Sequence, residues 1–301
     1  MNNLVKRSPM FYVGDKYKLI QEIKKYFPKN INTFIEPFVG GGTVSLNIKA
    51  SQYKLNDIDN NVYNLHLFLH QQSTNVNFIN KILYQINKYN LSKSFIEDIV
   101  PIELKNQYIK TYYAHFNKMG YNNLKAKFNK SKKKNYLLLY LLLIFGFNRM
   151  LRFNSKGAFN VPVGNVDFNK NVLNALNNYF EFSRNNNIVF KNLDFKIFIQ
   201  NINFVDNDFI YLDPPYLITF SEYNKIWNEE KEIELLQFLD ELNQKNIKFA
   251  ISNVTHYKGR VNNIFIKWMA KYKVQRIKSN YISYHDNSVK KIEEVLVINY
   301  N

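Results

Sequence analysis

A chain of 301 residues without cysteine has no disulfide framework and no thiolate-ligated metal. Its hydrophobic fraction of 46% allows a real core, and 41 Lys plus Arg against 24 Asp plus Glu leave a net charge of +17. That excess points to a polyanionic partner such as nucleic acid, although a lysine-rich proteome that tolerates basic surface gives the same figure.

The first segment, "MNNLVKRSPMF", has no apolar leader, so no secretory signal is expected. "DKYKLIQEIKKYF" (15–27) has helical spacing. "NTFIEPF" (32–38) reads as a strand, followed by "VGGGTVSLNIKA", a glycine turn into a helix. "QYKLNDID" (52–59) reads as a second strand. A mostly helical stretch with breaks then runs to about residue 150. It contains the longest apolar run, "YLLLYLLLIF" (136–145), which is far shorter than the roughly 20 residues of a membrane span and fits a buried helix. At 151–168 the character changes to "LRFNSKGAFNVPVGNVDF", a hairpin or ordered loop. From 187 onward strands and helices alternate again: "NIVFKNLDF", "DFIYLDPPY", "EKEIELLQFLDELNQK", "NIKFAISN" and "EEVLVINY". This order predicts an α/β fold with a Rossmann-like, mostly parallel sheet built from residues 1–59 and 186–301, and a helical insert at 60–185.

Two places in this frame carry chemistry. Three of the nine glycines stand at 40–42 between a strand and a helix, where the backbone turns tightly and a ligand can approach. The turn lacks the Lys-Ser/Thr of a phosphate loop and departs from G-x-G-x-x-G, so alone it is a weak signal. Asp57 ends the next strand, where a carboxylate accepts both hydroxyls of a ribose; capping the helix near 60 is the alternative. The second place is "YLDPPY". Pro214 and Pro215 cannot continue a hydrogen-bond ladder, so Asp213 sits where the strand stops, on a stiffened loop. Open α/β sheets bind ligands there, and a plain turn is the bland reading.

Taken in order, "YVGDKYKL" (12–19), "FVGGG" (38–42), the insert with "RFNSKGAFNVPVG" (152–164), and "DPPY" (213–216) resemble the Dam/DpnM-type N6-adenine DNA methyltransferases, the α-ordered D12 class. The resemblance covers nearly the whole chain. It implies S-adenosyl-L-methionine as cofactor, held by Tyr12, Lys16, Phe38, Gly40, Gly42, Asp57, Asp194, Phe195 and Asp213. Lys16 reads alternatively as a surface lysine and Asp194 as a helix N-cap. It implies Asp213, Pro214, Pro215 and Tyr216 as the catalytic group. Asp213 and the Pro214 carbonyl accept the amino hydrogens of an adenine flipped out of the duplex, and Tyr216 stacks on the base. No metal is required, and a covalent cytosine-C5 mechanism is excluded by the missing cysteine.

The resemblance further implies a DNA-reading loop at 148–168. Arg152 would read a guanine, Asn148, Met150 and Pro162 neighbouring positions, and Asn160 either DNA or the loop itself, as would Asn154. "KSKKKN" (130–135) reads as phosphate contacts or as a solvated loop. GATC is the implied target. Two positions depart from the Dam-like pattern: Phe11 stands for a lysine, and Asn165-Val166 for Arg-Tyr. The implied partners are double-stranded DNA and, unless the chain is an orphan DNA methylase, a functionally paired restriction endonuclease. The chain is expected to be a monomer in the cytoplasm, bacterial or phage-encoded, with no membrane association. A catalytically silent DNA-binding module of the same fold, or a methyltransferase acting on RNA or protein, are the competing readings.

Overall fold

The computed structural model describes residues 5–219, 227–277 and 293–301. The expected catalytic range 186–301 therefore includes 220–226 and 278–292, which lie outside the described residues.

Short runs apolar on both sides form the centre of one sheet. Its strands are β1 (Thr33–Glu36), β2 (Gln52–Asn56), β3 (Asn187–Lys191), β4 (Phe209–Leu212), β5 (Lys248–Tyr257), β6 (Arg260–Val261), β7 (Lys273–Ile277) and β8 (Glu293–Ile298). The order is β3-β2-β1-β4-β5-β8-β7, with β6 paired to β5. The strands from β3 to β5 are parallel, while β8 runs antiparallel to both β5 and β7. β1 and β4 are buried at every position, whereas β3 at the edge is not. Along β4, Phe209 and Tyr211 enter one core cluster and Ile210 and Leu212 the other, the period-2 alternation of a strand covered on both faces. Asp208 fixes the β1–β4 register, accepting from the Thr33 backbone N–H and the Asn32 amide at 3.0 Å each.

The chain moves outward from β1 through β2 to β3, then returns to β4 on the other side of β1. At that reversal the connections leave in opposite directions and a crevice opens beyond the carboxyl ends of β1 and β4.

The helices before β3 are α1 (Ile20–Ile23), α2 (Asn60–Gln72), α3 (Phe78–Lys88), α4 (Ile102–Gln107), α5 (Tyr112–Lys130), α6 (Tyr136–Phe145) and α7 (Lys170–Asn185). α6 is apolar all round and buried from Leu138 to Phe145. Each of its leucines from Leu138 to Leu143 adds about 1.5–3 kcal/mol of transfer free energy to a core shared with α2, α3, α5 and α7. Asn135 starts α6 by accepting from the Leu137 and Leu138 N–H groups. Met10, Phe11 and Tyr12 are buried in this helical cluster too, and the Tyr140 hydroxyl donates to the Pro9 carbonyl at 3.2 Å. The N-terminal segment thus joins the helices to the sheet. Beyond β3, α8 (Phe195–Gln200), α9 (Glu229–Gln244) and α10 (Asn263–Met269) contribute to one sheet face. Among the described residues no helix is long and apolar enough to cross a membrane.

Three local expectations change. The helix expected after the glycine turn is only a 3-10 turn at Ser45–Asn47. The Asn47 side chain takes the Lys6 and Thr43 carbonyls, Ile48 is already extended, and β2 begins at Gln52, leaving no room for a helix. The helix expected at 15–27 shrinks to α1 and one 3-10 turn at Lys24–Tyr26. The backbone over 12–19 instead makes successive turns that aim Lys16 into the crevice. The segment 151–168 is an ordered loop, closed by single bridges Phe153–Phe159 and Gly146–Val163.

Candidate active site

A cavity of about 820 Å³ fills the crevice. All twelve residues expected at the cofactor and catalytic positions line it: Tyr12, Lys16, Phe38, Gly40, Gly42, Asp57, Asp194, Phe195 and the run Asp213–Tyr216. They come from the ends of β1, β2, β3 and β4 and from the N-terminal segment, so the fold gathers them from across the chain.

The glycine turn is tight for stated reasons. Gly40 and Gly42 have φ of +47° and +74°. A Cβ on Gly42 would meet the His66 ring at 2.9 Å, and one on Gly41 would meet Tyr12 Cβ at 2.9 Å. The Ser8 hydroxyl donates to the Gly41 carbonyl. His66 Nε2 lies 2.8 Å from the Gly40 carbonyl, which can only accept, so Nε2 carries the proton and Nδ1 accepts from the Tyr179 hydroxyl at 3.0 Å. Burial lowers His66 to about 4, which keeps this ring neutral.

Asp57 accepts from the Gly40 N–H on Oδ2 and from the Asp59 N–H on Oδ1, both at 2.9 Å. Burial is the main cause that pushes it up to about 7. The cap of α2 is Asp59, which accepts from the Asn61 N–H at 2.7 Å, so Asp57 is free of that duty. Asp194 does cap α8, accepting from the Lys196 N–H with Oδ1, while Oδ2 lies 3.8 Å from Lys231. Phe38, Phe195 and Trp227 form an aromatic wall, with centroids 5.5–6.1 Å apart.

The Asp213 carboxylate is held from both sides. Lys16 Nζ donates to Oδ2 at 2.6 Å, and the Tyr216 hydroxyl donates to Oδ1 at 2.8 Å. Lys16 is 3% exposed and also lies 3.6 Å from Glu294, itself 1% exposed, on β8. The expected cofactor lysine therefore has its ammonium on the aspartate of the "DPPY" run. Tyr216 lines the cavity while its hydroxyl also lies 3.1 Å from Glu294 Oε1. Burial raises Glu294, and it raises Glu36 well above the usual range; in each, Oε2 is buried without a hydrogen-bond partner among the described residues.

The loop residues lie outside this cavity. Arg152 Nε donates to Asn160 Oδ1 at 3.0 Å and Nη2 to the Asn160 carbonyl at 3.2 Å, so Asn160 orients the arginine. Asn154 closes the tip by accepting from the Lys156 and Ala158 N–H groups. Asn148 is exposed with φ +50°, Met150 packs partly on the helical core, and the Pro162 carbonyl accepts from Phe147 N–H at 2.9 Å. Asn165 is tied to the Lys110 carbonyl and the Ala114 N–H, which gives that departure a structural reason. In the basic run, Lys134 donates to Asn61 and stands 4.8 Å from the Phe153 ring centroid.

Sequence reading missed four residues that this geometry brings forward. Glu36 and Glu294 are carboxylates inside strands, Trp227 is an isolated aromatic, and Arg149 stands beside the expected loop. Only Trp227 had a usable signal, as one of two tryptophans, directly before an acidic helix start.

An open, mostly parallel sheet with a glycine turn, a carboxylate at the end of β2 and an aromatic wall around its switch point defines an α/β protein with its cavity where such sheets bind ligands. The D12 class N6 adenine-specific DNA methyltransferases are matched over residues 12–294, and the chain belongs to that family. It is 35% identical to the modification methylase StsI of Streptococcus sanguinis over 98% of its own length and 43% of that protein's. It is 34% identical to the type II methyltransferase M.FokI of Planomicrobium okeanokoites, again over 98% and 43%. With the DNA adenine methylase of Escherichia coli K12 it shares 26% identity, covering 97% and 95%. The chain spans less than half the length of the first two relatives.

Proposed function

We propose that the chain transfers a methyl group from S-adenosylmethionine to N6 of an adenine flipped out of a short duplex DNA target. The observation that carries this reading is the Asp213 carboxylate, aimed by Lys16 and Tyr216 into the same cavity as the glycine turn.

The cavity fits the cofactor. Its size lies within the roughly 300–1,000 Å³ of small-molecule sites. The turn is closed to any side chain at Gly41 and Gly42, Asp57 stands ready for ribose hydroxyls, and the Phe38, Phe195, Trp227 wall suits a purine, with Asp194 at its edge. Bound there, S-adenosylmethionine supplies an electrophilic methyl group. The protein's own part is to prepare the nucleophile. The adenine amino lone pair is delocalised into the ring. Asp213 accepts one amino N–H and the Pro214 carbonyl the other, which draws the nitrogen toward a tetrahedral, more nucleophilic form. Pro214 and Pro215 add no competing N–H. The rest is positioning and electrostatics.

Residues 60–185 form the target-recognition part in this reading, with the loop at 148–168 in the major groove. Arg152, preset by Asn160, reads a guanine bidentately. GATC remains the target the resemblance favours. The names of the modification-methylase relatives support pairing with a restriction endonuclease in a bacterial or phage setting. A monomer is sufficient.

The test is modification sequencing of a host without its own adenine methylase that expresses the chain. N6-methyladenine at every copy of one short motif is the expected result, and GATC as that motif would bear out the loop reading. Arg152→Ala should relax one guanine position. A folded, cofactor-binding protein that methylates no DNA would overturn the proposal.

Cofactor affinity should also depend on pH through Asp57. Its pKa in the folded protein, about 7, lies above the ordinary 3.8, so between those values the folded protein holds the extra proton. Asp57 therefore lowers the stability of the unliganded protein as pH rises through that window. Ribose hydroxyls donate to the ionised carboxylate, so the Kd should fall by up to about tenfold per pH unit on approaching 7 and level off above. Calorimetric titration with S-adenosylmethionine over about pH 5.5–8.5 checks this, and Asp57→Asn should flatten the profile.

A further inference from the structure

Outside the cavity, Phe11 and the consecutive pair Asn148 and Arg149 share a backbone conformation that side chains rarely adopt. Phe11, Asn148 and Arg149 have φ of +48°, +50° and +51°. Such positions persist only where the surroundings impose them, and they cluster at functional sites; a bulky aromatic there is a genuine outlier. Here they bring the Arg149 guanidinium to 3.8 Å from the Phe11 ring centroid. Arg7 stands at 4.7 Å from the same ring. Two cations thus share one phenyl ring.

The charges around them do not balance. Asp15 is the carboxylate of the group, 3.6 Å from Arg7 Nε, and burial raises its pKa. The Nε atoms of Arg7 and Arg149 are buried with no hydrogen-bond partner among the described residues. Burial first, then the charge of Arg7, brings Arg149 down to about 10, so it keeps its charge at a cost. The result is a largely desolvated guanidinium, placed over a ring, whose Nε has no hydrogen-bond partner among the described residues.

Its position ties it to the reaction. Phe11 directly precedes Tyr12, a wall of the cavity that contains Asp213. Arg149 sits between Asn148 and Met150, three residues before Arg152. The stack therefore bridges the cavity rim and the loop. A base that leaves the duplex for Asp213 leaves its neighbours beside this rim.

We infer that Arg149, its guanidinium over the Phe11 ring, reads a guanine close to the methylated adenine, as a second specificity residue beside Arg152. The inference rests on the proposed DNA methylation. A phosphate needs only a charge, which the exposed Lys132 and Lys133 already offer. A planar fork fixed by a ring and by three left-handed residues is a directional device, suited to the O6 and N7 of guanine.

The experiment is modification sequencing of the wild type, Arg149→Ala and Arg149→Lys in the methylase-free host, with S-adenosylmethionine binding as the check on folding. The wild type defines the motif. Both variants should lose about 10–100-fold in discrimination at one guanine position, distinct from the one that Arg152→Ala relaxes. Lysine keeps the charge without the fork, so it decides the matter if alanine disturbs the Phe11 packing. Unchanged stringency at every position overturns the inference. So does an equal loss on all sequences with a shallower salt dependence, the mark of a phosphate contact. A wild type that methylates nothing defeats the underlying reading and this inference with it, and that failure is visible in the wild-type arm alone.

Discussion

Asp213→Ala should lower the methylation rate by at least about 10²–10³-fold, the usual cost of removing one preorganised polar group aimed at the reacting atoms. The expectation follows from how the carboxylate is held. Oδ1 takes the Tyr216 hydroxyl and Oδ2 the Lys16 ammonium, leaving one lone pair on each oxygen for the adenine amino group. The orientation is fixed before the base arrives, so no reorganisation is needed at the moment of reaction. Asp213→Asn tests the same point without opening a cavity: the amide keeps the shape but has one acceptor oxygen and no charge to receive the amino proton. Single-turnover methylation of duplex DNA gives the rate, and calorimetry with S-adenosylmethionine reports the cofactor site, which Asp57 and the glycine turn should preserve. Normal turnover in either variant would sink the mechanism.

The parts of this molecule that sequence revealed are those written locally. The strand β4 is legible because four apolar residues end at two prolines, and the glycine turn because three glycines in a row have few other uses. The ordered loop at 151–168 is legible from its glycines and its alternating apolar residues. Element lengths were not, where long-range contacts decide them: Asn47 captures the Lys6 carbonyl and stops the helix that "TVSLNIKA" suggests. The charge network was least legible of all. Lys16 and Asp213 are 197 positions apart, and Glu294 comes from a strand that runs against its neighbours at the far end of the chain. No spacing rule connects them; only the closure of the sheet does. Arg149 escaped notice for a similar reason, since its ring partner Phe11 reads as a mere departure from a pattern until the two are seen in contact.

That network carries the second large effect. Lys16→Met should destabilise the folded protein by about 3–5 kcal/mol, the cost of removing one partner from a buried ionic group. The cation is 3% exposed and serves two carboxylates, Asp213 at 2.6 Å and Glu294 at 3.6 Å. Without it they face each other with only the Tyr216 hydroxyl between them, and one must take up a proton. The sign follows from the causes: burial raises Glu294 and the Lys16 charge lowers it, so losing the lysine pushes Glu294 further up. Lys16 also holds Oδ2 of Asp213, so in the proposed reaction Lys16→Met should lower the methylation rate along with the stability. Adding Glu294→Gln removes the competing charge and should recover part of both the stability and the rate, and urea melts with single-turnover rates of the two single variants and the double would measure that coupling. Additive losses across the three proteins would show that Lys16 and Glu294 do not act as a unit. A positive coupling of about 1 kcal/mol or more would show that Lys16 and Glu294 act as one buried ionic group beside Asp213.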